Sequence, residues 1–291
     1  LFFGVSVNCA QCHDHPLVED WKQDHYFGFV SFFDRTFETK SKKLAEKFSG
    51  EVKFRDTFGD EKVAKYMFLT GATIEEPPRE LTDEQKKHEN ELVKASMKEE
   101  KAPLPEPQFR PREQFVELAL AEENRKFFAQ SIVNRMWAAL FGRGIIDPPD
   151  QNHSANPPSH PRLLAWLERD LVVHNYDLKR LIGGIVASDA YARSSIWTGG
   201  ELPAESLFAV APVRPLTPRQ YSLSLLISTY NPENLPSSVA DPKWVDLRKN
   251  WENSAERFAD QLERPGENFQ VSVDEALLFS NNNRIENDYL R

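Results

Sequence analysis

The chain has 291 residues, of which 40% are hydrophobic and 28% are charged, and its formal net charge at pH 7 is −9. This length is enough for one large domain or two ordinary ones, and 20 Phe and 6 Trp supply the bulky apolar material that a disordered chain lacks. The acidic balance disfavours nucleic acid as a partner, because nucleic-acid-binding proteins carry a basic surface. No apolar run in the sequence is long enough to span a membrane.

Four stretches follow one another along the chain. Residues 1–47 have a helical and aromatic pattern, whereas residues 48–76 alternate in polarity around a turn at Gly59-Asp60, which predicts a small β insertion. Residues 77–111 are charged and then rich in proline, which predicts a solvated helix followed by an extended linker. Residues 112–291 are predicted to form a helical domain. The predicted fold class is therefore mainly α, with helical bundle-like domains and a small β insertion near residues 48–76.

Capping residues mark the predicted helix boundaries in the last stretch. Asn124 and Gly142 enclose one segment of helical apolar periodicity, and Ser159 followed by Pro161 begins another. Asp177 is the expected cap of a third helix. Further helix starts are predicted at Thr217-Pro218, at Asp241-Pro242 and at the capping box of Ser272 and Glu275.

The only two cysteines of the chain lie three positions apart, in Cys9-Ala10-Gln11-Cys12-His13. Composition alone would rarely produce this C-x-x-C-H pattern, so it indicates a functional site. In c-type haem attachment, two thiols bind the two vinyl groups of a porphyrin and the neighbouring imidazole binds the iron. On a helix, these three side chains would share one face. The motif therefore predicts covalently attached haem c, with His13 as the iron ligand and electron transfer as the function.

The sequence indicates the second axial ligand of the haem iron less clearly. His15 lies too close to His13 along the chain to reach the opposite face of the haem, so His25 is the better candidate and Met67 a weaker one. The aromatic residues between positions 21 and 33 are expected to exclude water from the macrocycle.

Other interpretations of the same residues stay open. A structural zinc site could draw its ligands from Cys9, Cys12, His13, His15 and His25, since zinc takes four such ligands. The protein would then be a metal-stabilised helical scaffold or binding module, and the same role is open to a protein without cofactor. A thiol–disulfide couple is a further alternative.

A second polar stretch runs through residues 147–160. It could line the cleft of a haem or metal enzyme, through His153 and His160 beside Asp147 and Asp150. The simpler interpretation is a rigid loop whose Asn and Ser side chains cap the next helix. Asn134 and Arg135, which lie on the preceding helix, are then expected to hold this loop through hydrogen bonds. The sequence leaves open whether the protein is an enzyme.

Two sets of residues resemble known families. The first set resembles the planctomycete cytochrome c-like domain family, in residues 4–16, which contain the C-x-x-C-H motif, and in residues 21–26 and 32–33. The second set resembles the helical domain of unknown function that follows it, in residues 134–144, 156–161, 176–179 and 188–194.

The resemblance implies a bacterial cell-envelope protein, located in the periplasm or another extracytoplasmic compartment. It implies that residues 1–47 are the C-terminal part of the cytochrome c-like domain, whose front part would precede Leu1. The expected electron-transfer partner is a separate redox protein or an upstream cytochrome domain of the same chain.

Overall fold

The structure is a computed structural model that describes residues 2–15, 18–238 and 240–262. The chain divides into two compact units, Leu1–Pro212 and Val213–Arg291. The division falls inside the range 112–291 that the sequence predicts as one helical domain.

The prediction of a mainly α fold with small β insertions is confirmed. The helices of the described residues are α1 (Gln23–Phe33), α2 (Asp83–Lys98), α3 (Pro111–Leu120), α4 (Arg125–Phe141), α5 (Pro161–Val173), α6 (Leu178–Val186), α7 (Pro218–Thr229) and α8 (Lys243–Ala259). The strands are β1 (Thr36–Glu38), β2 (Leu44–Glu46), β3 (Lys53–Arg55), β4 (Glu61–Val63), β5 (Tyr66–Met67) and β6 (Thr73–Ile74). In the described parts of the chain, no helix combines the length and the apolar content needed to cross a lipid bilayer.

The strands form three separate antiparallel pairs, β1 with β2, β3 with β4, and β5 with β6. The last two pairs lie within the predicted range 48–76, whereas the β1–β2 pair precedes it and corrects the prediction that residues 1–47 are helical. Its turn contains Lys42 with a φ of 62°, a conformation that hydrophobic periodicity does not reveal.

The core beside these strands is built from aromatic rings. Phe68 is fully buried, and it stacks on Phe29 of α1 with a ring-centroid distance of 5.8 Å. Phe3 meets Phe68 edge-on at 5.2 Å, and Phe115 of α3 contacts the same group of rings. Gly28 of α1 allows β5 to approach closely, because a Cβ at that position would lie 2.7 Å from the Cβ of Met67.

A second core of the first unit surrounds α4. Its buried members include Val133, Trp137 and Phe141 on α4, Leu171 on α5 and Leu181 on α6. The apolar periodicity of all three helices was predicted, and Gly142 ends α4 in the left-handed conformation as expected, with a φ of 79°.

The predicted caps are confirmed in some places and wrong in others. The Asp177 carboxylate accepts a hydrogen bond from the Arg180 N–H at 3.0 Å, as predicted. The residue at the cap position of α5 is His160 rather than Ser159, whose hydroxyl donates instead to the Ile145 carbonyl at 3.0 Å. Asn124 occupies the expected position before α4, but its amide donates to the Leu118 carbonyl at 2.8 Å and does not cap.

In the second unit, α7 packs against α8 around Leu226, Ala255 and Phe258. The capping box predicted at Thr217 is present, with Gln220 as its second member. At the other predicted start, the Asp241 carboxylate accepts from the Lys243 N–H at 3.0 Å. The capping box predicted at residues 272 and 275 lies outside the described residues.

Candidate functional site

The first three residues of the C-x-x-C-H motif lie on a single 3-10 turn, Asn8–Gln11, and not on the α-helix that the motif spacing suggested. Cys12 continues the turn with a φ of −100° and a ψ of −31°. Both thiols are free and exposed, whereas Ala10 between them is fully buried. Side chains three residues apart eclipse one another in a 3-10 helix. Cys9 lies on the turn and Cys12 directly follows it, so the two exposed thiols flank the buried Ala10 along the chain.

The His13 ring is exposed and has a defined hydrogen bond. Its Nδ1 lies 2.7 Å from the carbonyl oxygen of Asp14, and since a carbonyl only accepts, Nδ1 carries the proton. In the neutral ring, Nε2 then keeps its lone pair. Histidine ligands of metals commonly have this arrangement, in which one nitrogen donates to a carbonyl and the other binds the metal.

The residues that follow the motif are tied to the start of α1. The Asp14 carboxylate accepts a hydrogen bond from the Gln23 N–H at 3.0 Å, and the His15 N–H donates to the Trp21 carbonyl at 2.9 Å. These two hydrogen bonds connect the residues just after the motif to the start of α1.

His25, the predicted second ligand, serves as a helix cap in the structure. Its Nδ1 accepts a hydrogen bond from the Lys22 N–H at 3.1 Å, and its ring meets Trp21 edge-on at 5.9 Å. Burial lowers the pKa of the His25 imidazole. With Nδ1 as an acceptor, the neutral ring carries its proton on Nε2. Iron or zinc coordination through Nε2 would require the other tautomer and would break the cap.

Replacing His25 with Ala is expected to lower the free energy of unfolding by about 1 kcal/mol, the usual contribution of a helix cap. His25→Gln should restore most of it, because a Gln at this position can accept from the same N–H. Because the folded pKa of His25 is lowered, the unfolded state binds more protons at acidic pH, so the wild type should also lose stability as the pH falls towards 5. The His25→Ala variant should lack the part of the acid destabilisation that is due to His25.

Urea unfolding of both variants at two pH values measures these effects. If His25 instead binds a haem iron, both substitutions should alter the absorption spectrum of the haem-loaded protein, and His25→Gln would then fail to behave like the wild type.

The alternative zinc ligands are not gathered into a metal site. Within residues 2–15, 18–238 and 240–262, no group of three or more His, Cys, Asp and Glu side chains is arranged to hold a metal ion. The predicted set of Cys9, Cys12, His15 and His25 is therefore not assembled, and His25 is directed to the Lys22 N–H. Met67, the weaker candidate for the second haem ligand, lies on β5 against Gly28 of α1.

The aromatic residues expected to cover a macrocycle pack against other parts of the protein. Trp21 is 4% exposed and contacts Phe127, while Phe27 stacks on Phe54 of β3 at 4.2 Å. Phe32 is fully buried. These three rings are thus packed within the protein.

The second polar stretch contains a loop, residues 147–156, that is held by α4 as predicted. The Asn134 amide donates to the Ile146 carbonyl at 2.8 Å and accepts from the Ile146 N–H at 2.9 Å. Arg135 forms an ion pair with Asp150. The Asn156 amide donates to the Gln151 carbonyl at 2.9 Å.

The two histidines of this stretch have separate surroundings. His153 is half-buried, with Nε2 placed 3.2 Å from the amide oxygen of Gln151. His160 packs its ring against Phe208, at a centroid distance of 5.6 Å. Within the described residues, neither histidine belongs to a metal-holding group.

Comparisons with known proteins match two family models. Residues 1–38 match PSCyt2, a protein of unknown function (DUF1549), and residues 111–267, more than half of the chain, match PSD1, a protein of unknown function (DUF1553). Both are domain families of unknown function associated with planctomycete cytochromes c. No curated protein and no solved structure matches the chain. The resemblance of the helical region is thus confirmed at the family level, and the chain belongs to the PSD1 family of proteins of unknown function (DUF1553).

Proposed function

We propose that Cys9 and Cys12 attach haem c covalently, that His13 is the proximal ligand of its iron, and that the protein transfers electrons outside the cytoplasm. The observation that carries this proposal is the exposed turn itself. One free thiol lies on the 3-10 turn and the other directly follows it, and the next residue is an exposed histidine.

The thiols suit thioether formation because both are accessible. An attachment reaction needs two thiols that approach one edge of a porphyrin from the same side. A spacing of three residues around a 3-10 turn favours such an approach. The buried Ala10 keeps the backbone of the turn against the protein, so the thiols do not have to leave the core to react.

His13 suits axial ligation because of its hydrogen bond. The Asp14 carbonyl holds the proton on Nδ1 and orients the ring, which leaves Nε2 as the electron-pair donor. When bound, a haem iron would supply one-electron redox chemistry. The residues present therefore fit attachment and proximal ligation, and His25 in its capping role does not fit as the second ligand.

The proposed location and partner follow from this chemistry and from the family. C-type attachment takes place outside the cytoplasm, and the matched families are associated with cytochromes c. A redox partner protein, or a cytochrome domain in the same chain, would exchange electrons at the exposed turn.

The test uses the full-length protein, produced in a host with cytochrome c maturation. A pyridine haemochrome spectrum should show the α-band of a haem with two thioether bonds, at a stoichiometric level. Cys9→Ser combined with Cys12→Ser should remove the covalent haem that this region binds, one per molecule, because these are the only two cysteines of the 291 residues. His13→Ala should lower haem incorporation strongly, and the matched control His88→Ala, on the exposed surface of α2, should have no effect.

A folded protein without the α-band would overturn the proposal. Elemental analysis of the same sample then decides between the alternatives. Stoichiometric zinc that is lost on replacing Cys9 and Cys12 would favour a zinc-stabilised scaffold, and the absence of any metal would favour a binding module without cofactor.

A further inference from the structure

The 147–156 loop contacts the chain just before the motif turn. Val5 and Gln151 form an isolated antiparallel bridge, and the Asn152 N–H donates to the Gly4 carbonyl at 2.9 Å. Val5 lies four residues before Cys9. The loop thus holds the backbone that leads directly into the motif.

The same loop also contacts the chain after the motif. The Asp20 carboxylate accepts two hydrogen bonds from Ser154, one from its N–H at 2.9 Å and one from its hydroxyl at 2.6 Å. These bonds, first the one from the hydroxyl, lower the pKa of the Asp20 carboxyl, so it is ionised at neutral pH. Hydrogen bonds to an ionised acceptor are stronger than those between neutral groups.

Gly4 permits the close approach of loop and N-terminal segment. Its φ is +65°, and a Cβ there would lie 3.3 Å from the Pro149 carbonyl oxygen and 3.5 Å from the Cβ of Ser131. A larger residue would be strained by its backbone conformation and crowded by the loop.

The loop is itself well supported. Asn134 binds the backbone of Ile146 at its base, Arg135 pairs with Asp150, and the Asn156 side chain binds the Asp147 and Gln151 carbonyls. A segment that is fixed at several points can transmit this order to the residues it contacts.

We propose that the 147–156 loop, through Asp20 and Ser154 on one side and Gly4 and Val5 on the other, positions the motif turn for its ligand. This inference rests on the proposed function of the turn. It means that the regions matched by the two family models work together at one site, with the PSD1 region orienting the cysteines that lie in the PSCyt2 region.

The first test measures local order in the full-length protein without haem and with both thiols reduced. Ser154→Ala removes the hydroxyl bond to Asp20, and Asp20→Ala removes both bonds. Each should speed hydrogen–deuterium exchange in a peptide covering residues 5–13 by about fivefold, as expected when an ion-assisted hydrogen bond is lost from a local opening unit. Peptides from α5 should exchange as in the wild type.

Two controls separate positioning from general destabilisation. Ser154→Thr keeps a hydroxyl at the same place and should restore slow exchange at residues 5–13. Ser49→Ala and Asp189→Asn alter exposed residues that do not contact the 147–156 loop, and they should leave the exchange at residues 5–13 unchanged. Unchanged exchange in both Ser154→Ala and Asp20→Ala, or an equal rise throughout α5, would overturn the proposal.

The second test uses the haem-loaded protein. Ser154→Ala should shift the midpoint potential of the haem or broaden its redox titration curve, and Ser154→Thr should restore the wild-type curve. An unaltered midpoint would contradict positioning of a haem by the loop. If no haem is incorporated at all, the proposed function fails, while the exchange experiment still decides separately whether the loop orders the turn.

Discussion

Asn134→Ala is expected to lower the free energy of unfolding by about 4 kcal/mol, because it leaves two buried backbone groups without partners. The Asn134 side chain is 2% exposed and binds both the N–H and the carbonyl of Ile146. Alanine can replace neither bond, and water reaches this position poorly. The same substitution should loosen the base of the 147–156 loop and so speed exchange at residues 5–13.

The packing around Gly144 explains why the backbone near Asn134 has little freedom to adjust to the substitution. A Cβ on Gly144 would lie 2.2 Å from the Ile146 carbonyl oxygen and within 3.0 Å of both terminal atoms of Asn134. The chain after α4 therefore folds tightly over the Asn134 amide. Urea unfolding monitored by circular dichroism measures the loss, with Asn90→Ala on the exposed surface of α2 as the matched control. A loss below about 1 kcal/mol would show that the exposed end of the loop reorganises to satisfy Ile146.

Arg35→Met is expected to lower the free energy of unfolding by about 3 kcal/mol, because it leaves a partly buried carboxylate without its partner. The Arg35 side chain is 4% exposed and that of Glu76 is 24% exposed. The guanidinium donates to the Glu76 carboxylate and, at 3.1 Å, to the Gly50 carbonyl. These bonds join the residues after α1 to the segment after β6 and to the segment between β2 and β3.

A double-mutant cycle tests this pair. Glu76→Gln in the Arg35→Met background should recover part of the loss, since the uncompensated charge is then gone. The control is Lys42→Met, which removes the ion pair with Glu38 in the β1–β2 hairpin, where the two side chains are 83% and 54% exposed. Such an exposed pair contributes little to stability, because water and salt screen the two charges. An equally small loss for Arg35→Met would contradict the buried-pair interpretation.

Several features of the fold were predictable from local sequence. The apolar periodicity of α4, α5 and α6 gave the correct element type, and Gly142, Asp177 and Thr217 marked true boundaries. These signals are local, since a cap bonds to an N–H two or three residues away. The errors at Asn124 and Ser159 have one cause, because each side chain binds a distant carbonyl in preference to the nearby helix.

The candidate site likewise has one part that local sequence predicted and one part that depends on tertiary structure. The C-x-x-C-H spacing predicted a site on a helix, whereas the structure has a short 3-10 turn with a buried Ala10 between two exposed thiols. His25 was a plausible ligand by residue type and chain position. The structure uses its Nδ1 as a helix cap, a role that residue type and chain distance did not reveal.

The sequence alone predicted a functional site at Cys9, Cys12 and His13, and it predicted the helical class of the chain, which the structure confirms. Both follow from spacing and periodicity, which are properties of neighbouring residues. Only the tertiary structure decided what surrounds that site. Ser154 binds Asp20 across 134 positions of sequence, and the loop joins Gly4 and Val5 across a similar separation. No local pattern specifies such contacts, because they form only when the helical core around α4 brings the loop to the segments before and after the turn.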